Sequence, residues 1–218
     1  MLRLRVATYN IHKGVQGVGT ARRLEIHNLG HAVEQFDADL VCLQEVRLHH
    51  RLQARRFRRW PHEGQAEYLA PEGYEAVYRT NAITRHGEHG NALLSRWPVL
   101  SHRHHNISDH RFEQRGLLHV KVNVTAQNQP QVVHVLVVHL GLIPASRERQ
   151  VQQLKRYILR EVPHTGAYLA TFGRGPALER AAEMAPASRS EPTRTGQRSI
   201  TSARLPALTI SAKSPCRA

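Results

Sequence analysis

The strongest constraint on the fold lies between residues 116 and 140. Gly116–Val124 (GLLHVKVNV) alternates apolar and polar, and Val132–Leu140 (VVHVLVVHL) is a long β-branched run. Both read as strands, and Asn128-Gln129-Pro130 between them is a turn candidate, so the two should pair antiparallel. A chain with this pair at its centre must build a sheet. Other short runs extend the pattern: residues 2–9 (LRLRVATY), Leu40–Val46 (LVCLQEV), Tyr74–Tyr78 (YEAVY), and Gly90–Leu94 with Val99–Leu100. Apolar residues three or four apart predict helices over 22–36 and over Ser146–Val162, the second ended by Pro163. Residues 47–68, rich in Arg and His, read as a loop and an irregular helix.

Several of the apolar runs carry a polar residue at one end. Asn10 closes the first in Thr8-Tyr9-Asn10-Ile11-His12, and Glu45 nearly closes another in Leu43-Gln44-Glu45-Val46. Asn91 opens Asn91-Ala92-Leu93-Leu94-Ser95, Arg115 precedes Gly116 in Gln114-Arg115-Gly116, and His139 ends Val138-His139-Leu140. Taken singly, each has an ordinary explanation as a cap, a turn residue or a satisfied core histidine. If the strand ends converge, the set becomes an amide, carboxylate, guanidinium and imidazole cluster. Such a cluster suits a hard cation held by oxygen ligands beside a phosphate.

In this order the segments TYNIH, LQEV, GNALLSR, QRG and VVHL resemble the endonuclease/exonuclease/phosphatase superfamily. VATYNIHKG, DADLVCLQEV and HGNALLSRWPV are similar to its bacterial branch of small stand-alone members. The resemblance covers residues 3–163. It implies an α/β fold, a four-layer α/β sandwich of two packed sheets flanked by helices. It also implies a Mg²⁺- or Mn²⁺-dependent hydrolase of phosphodiesters or phosphomonoesters. Glu45 would be the principal metal ligand, with Asn10 in the metal and phosphate site. His139 would meet the scissile phosphate as a charged imidazole, and Asn91 and Arg115 would line the substrate side. The expected partner is a phosphate-ester substrate, nucleic acid among the candidates.

The resemblance stops near Pro163. The family's GDFN segment, whose Asp orients or deprotonates the attacking water, is replaced by Ala167-Tyr168-Leu169-Ala170-Thr171-Phe172-Gly173, and no terminal SDH follows. Ser108-Asp109-His110 stands too early and reads as a decoy. Residues 164–218 lack Asp and Asn and hold five of the eleven prolines, with no useful strand except over Leu205–Ile210. This composition predicts a low-complexity, disordered tail after a truncated 1–163 domain. One codon choice for Leu169–Phe172 spells Gly-Asp-Phe when read two bases later, which makes a frameshift one explanation. The fold should then be incomplete at the C-terminus. The first sheet would expose an apolar inner face, and the chain would be poorly stable.

Charge leaves a second class open. The net charge is +14, and both the first 163 residues and the tail are basic. Together with Arg51–Arg59 (RLQARRFRR), it fits a non-catalytic binder of nucleic acid or acidic lipid. A defective gene product without function is the third reading. No run of 18 apolar residues exists, and Met1–Arg5 does not begin a secretory signal. Only Cys42 and Cys216 occur, so a disulfide framework is not expected and a cytoplasmic setting is.

Overall fold

A computed structural model describes residues 3–126, 129–163, 167–172, 202–204 and 209–212. The chain opens with β1 (Arg3–Asn10), a 3-10 turn (His12–Gly14) and the short pair β2 (Val15–Gln16) and β3 (Arg23–Leu24). Next come α1 (Ile26–Phe36), β4 (Leu40–Val46), α2 (Arg51–Arg56) and α3 (Gln65–Leu69). The strands β5 (Glu75–Thr84), β6 (Gly87–Ser95), β7 (Val99–Asn106), β8 (Gly116–Ala126) and β9 (Gln129–Val138) lead to α4 (Pro144–Glu161). The last described elements are β10 (Ala167–Phe172), β11 (Ser202–Arg204) and β12 (Thr209–Ala212).

Two five-stranded sheets form, ordered β12-β1-β4-β6-β5 and β11-β10-β9-β8-β7. Their facing sides make one core, with Leu40, Cys42 and Leu93 of the first against Val120, Val135 and Val137 of the second. On the outer face of the first sheet, Ile26 and Val33 of α1 and Leu69 of α3 cover Val41, Leu43 and Leu94. On the outer face of the second, Val151, Leu154 and Tyr157 of α4 cover Leu117, Leu136 and Val138. The result is the expected four layers. Strand β4 is apolar on both sides because it is covered on both: Leu40 and Cys42 turn to the sandwich, Val41 and Leu43 to the helices. Cys42 is a buried free thiol, and Cys216 lies outside the described residues.

Three expectations need correction. The first sheet does not expose its inner face, because β8, β9 and Leu169 of β10 bury it. Ala167–Phe172, expected in a strandless tail, pairs parallel with β9 from Ala167↔Val133 to Phe172↔Val138. A short run of mixed small and large residues (AYLATF) is sufficient beside a strand as apolar as β9. The turn expected at 128–130 is displaced, since Gln129 and Pro130 already pair with Ala126 and Thr125. Of the possible strand at 205–210, residues 209 and 210 belong to β12, and 205–208 lie outside the described residues, as does most of the proposed tail.

Candidate active site

Topology explains why the polar strand ends meet. β1 runs parallel to β4, so Asn10 lies opposite Gln44, and β6 runs antiparallel to β4, so its beginning reaches the same edge. In the second sheet Leu117 pairs with Val138, which brings the start of β8 and the end of β9 together. Arg115 and His139 flank that pair.

Glu45 occupies a bulge. Gln44 pairs with Asn91 and Val46 with Gly90, leaving Glu45 unpaired with φ 55°. A bulge of this kind re-aims a side chain, and here it breaks the alternation that would otherwise bury Glu45. Two more left-handed residues, His12 (φ 47°) and Lys13 (φ 64°), follow Asn10. Among the described residues only one other non-glycine, Asp37, has positive φ. Each such residue costs about 1–3 kcal/mol unless its surroundings enforce it. Gln65 enforces it here: its Nε2 donates to Lys13 O at 2.9 Å and its Oε1 accepts from Arg47 N at 2.9 Å. A Cβ at Gly14 would lie 2.4 Å from that Nε2, so the turn requires glycine there.

The Glu45 carboxylate is held at both oxygens. Asn10 Nδ2 donates to Oε1 at 3.0 Å, and Lys13 Nζ lies 3.2 Å from Oε2. Asn10 Oδ1 accepts from His12 N at 3.0 Å, which fixes the amide's orientation. His139 Nε2 is 3.8 Å from Glu45 Oε1, beyond hydrogen-bonding distance. Burial pushes the Glu45 carboxyl upward, but the Asn10 hydrogen bond and the Lys13 and His139 charges outweigh it and hold it at about 2. Glu45 is therefore ionised at neutral pH.

His139 departs from expectation. Burial, reinforced by Arg115, brings its imidazole down to about 4 despite the pull of Glu45. It is neutral at pH 7, not the charged group the resemblance implies. His89, just before the bulge partner Gly90, is likewise brought to about 4 by burial and then by Lys13.

Arg115 is close enough to influence both histidines. Its Nη2 meets Glu113 Oε1 at 2.8 Å, and its backbone N donates to Ser108 Oγ at 2.9 Å. Its buried Nε has no partner among the described residues. Asn91 belongs to the architecture instead of the substrate surface where the sequence placed it. It is fully buried, and its Nδ2 donates to Gly116 O at 2.9 Å and Val137 O at 3.0 Å. That amide ties the first sheet to the second beside Arg115 and two residues before His139. Asp109 of the Ser108-Asp109-His110 segment is held by Arg149 at 2.5 and 2.6 Å and by Ser146 Oγ at 2.6 Å. These contacts, Arg149 foremost, hold its carboxyl far below the usual range and tether the loop to α4.

Sequence reasoning missed Lys13, Gln65, His89 and Arg47. Lys13 and His89 stand beside selected segments, in NIHKG and HGN, but no periodicity marks them. Gln65 lies in a helix of five residues and carries no signal at all.

The donor set around Glu45 is a minimal one for a divalent cation. Among the described residues no three of His, Cys, Asp and Glu gather as a metal cage. Glu45 is nevertheless an ionised oxygen donor with a cation already against Oε2. Mg²⁺ is commonly bound through one or two carboxylates and keeps several waters, so the set fits at its smallest.

The sequence pattern of the Endonuclease/Exonuclease/phosphatase family matches residues 7–192. The chain is 35% identical over 155 residues to the uncharacterized protein YbhP of Escherichia coli (strain K12), covering 71% of this chain. It spans 60% of that relative's length. In fold it is similar to an endonuclease/exonuclease/phosphatase family protein from Leptotrichia buccalis C-1013-b, with TM-score 0.53, 14% identity, and 75% and 64% of the two chains covered. It is also similar to the endonuclease/exonuclease/phosphatase from Bacteroides vulgatus, with TM-score 0.50, 11% identity, and 78% and 64% covered. With two packed sheets and a family match over residues 7–192, the chain belongs to the endonuclease/exonuclease/phosphatase family.

Proposed function

We propose that this chain is a phosphoester hydrolase whose divalent cation, Mg²⁺ or Mn²⁺, binds at Glu45. The observation that carries the reading is the Glu45 carboxylate, ionised on a strained bulge between Asn10 and Lys13 with a neutral imidazole beside it. Carboxylates are rarely placed on a positive-φ bulge without a functional reason.

Glu45 would hold the cation, and Asn10, through its 3.0 Å hydrogen bond, would keep the carboxylate in one rotamer. When bound, the cation supplies charge neutralisation and polarisation at a phosphoryl oxygen. Arg115 can present its unpaired Nε to another phosphoryl oxygen, and a planar guanidinium suits that task. His139, uncharged, can donate one hydrogen bond from a ring nitrogen to the developing charge without a like-charge conflict with Arg115. In the other tautomer that nitrogen carries no proton and could instead take one from an attacking water. The second carboxylate that the resemblance gives to this task is missing from the sequence, so turnover should be slow.

Hydrolysis of bis(p-nitrophenyl) phosphate with Mg²⁺ or Mn²⁺, against an EDTA control, tests the reading. Metal-dependent release lost in Glu45→Gln and His139→Ala is the expected result. Turnover indifferent to EDTA, or unchanged in both variants, contradicts it.

A further inference from the structure

The strand that delivers Glu45 runs directly into a basic surface. Between residues 47 and 66 stand six arginines and a single acidic residue, Glu63. Arg51, Arg55, Arg58 and Arg59 are exposed on and after α2. Among the described residues none of these four, nor Arg22 nor Arg47, takes part in an ion pair. Like charges gathered without counter-charges repel, and the fold gains nothing from them. A surface arginine usually settles this by pairing with a nearby carboxylate, and here the carboxylates are absent.

The surface is fixed in place and continuous with the candidate site. The side chain of His50 caps α2 by accepting from Gln53 N at 3.2 Å, and Arg56 Nη2 donates to Thr20 O at 3.0 Å, next to the Arg22 loop. Arg47 is the junction, near enough to feel both Glu45 and Arg22. Its Nη1 is buried with no hydrogen-bond partner among the described residues. A cationic donor left without a partner there leaves room for an anion as its counter-charge.

We propose that this face binds the phosphate backbone of a nucleic-acid strand, which passes over Arg51, Arg55, Arg58 and Arg59 and reaches Glu45 by way of Arg47. The final step of that path rests on the phosphoester reading of Glu45. The binding itself does not. A lipid surface is the weaker match, because it needs apolar side chains to insert beside the charges. Here Trp60 is buried and stacks on the half-buried Phe57 at 6.4 Å, which leaves Leu52 as the one exposed large apolar side chain of α2. Contacts of this kind are indifferent to sequence and sensitive to salt.

The test is fluorescence anisotropy of the full chain with a labelled single-stranded DNA oligonucleotide, in EDTA so that no hydrolysis intervenes. Affinity should fall steeply between about 50 and 200 mM salt. The triple variant Arg51→Gln/Arg55→Gln/Arg58→Gln should bind at least about tenfold more weakly, with a log–log salt slope shallower by about 2. Arg156→Gln on α4 should bind as wild type. The single reversal Arg55→Glu, with circular dichroism as a fold check, repeats the test at one exposed residue. Equal binding by wild type and triple variant overturns the proposal. So does binding to phosphatidylserine-containing vesicles with none to the oligonucleotide. A wild-type chain that binds the oligonucleotide but shows no metal-dependent phosphodiester turnover would count against the Glu45 reading and leave this surface standing.

Discussion

Lys13 Nζ lies 3.2 Å from Glu45 Oε2 and holds that carboxylate oxygen in an ion pair. The two side chains are 34% and 18% exposed, so their attraction is partly screened. On the proposed reading, the ammonium would compete with a divalent cation for that oxygen. Lys13→Met should therefore raise Mn²⁺ affinity by about three- to tenfold. Isothermal titration of both proteins checks this, and weaker binding in the variant would show that Lys13 supports the metal site.

Asn91 links the sheets with two hydrogen bonds from one buried amide. Asn91→Ala leaves the carbonyls of Gly116 and Val137 without that donor. The expected loss is about 2–4 kcal/mol in urea unfolding. Turnover should also fall, because the carbonyls it pins flank Arg115 and precede His139. A loss under about 0.5 kcal/mol would mean the sheets are held in register by packing alone.

Acid should destabilise the fold beneath α4. His119 sits under α4, with Nδ1 3.0 Å from Tyr157 Oη and Nε2 2.9 Å from His134 Nδ1. Burial, and then His134 and Lys121, bring its imidazole from 6.5 down to about 4. Between those values the unfolded chain takes up a proton that the folded chain refuses, so stability falls as pH drops through that window. Melting temperatures at neutral pH and near the lower end of the window should differ more for wild type than for His119→Gln. Equal slopes in the two proteins would remove His119 from the account.

Much of this was legible in the sequence because buried strands announce themselves. β4, β8 and β9 are apolar or cleanly alternating, and the polar residues at their ends are conspicuous. Asn10, Glu45, His139 and Arg115 stand out by that contrast, and the fold brings them to one edge. Other features depend on contacts far apart in the chain. The bulge at Glu45 is a register break between β4 and β6, which neither strand records alone. The burial of Asn91 depends on carbonyls in β8 and β9. The neutral state of His139 follows from enclosure and from Arg115, neither of which local sequence expresses. Ala167–Phe172 has little strand character of its own and is a strand because β9 lies beside it.

The most direct test is crystallographic. A crystal soaked in Mn²⁺ and measured at the manganese edge should show an anomalous peak about 2 Å from a Glu45 carboxylate oxygen, with Lys13 Nζ moved away. The same soak of Glu45→Gln should lack the peak. A wild-type crystal with no peak at Glu45, or with manganese bound only elsewhere, would contradict the assignment of this cluster as the metal-bearing site.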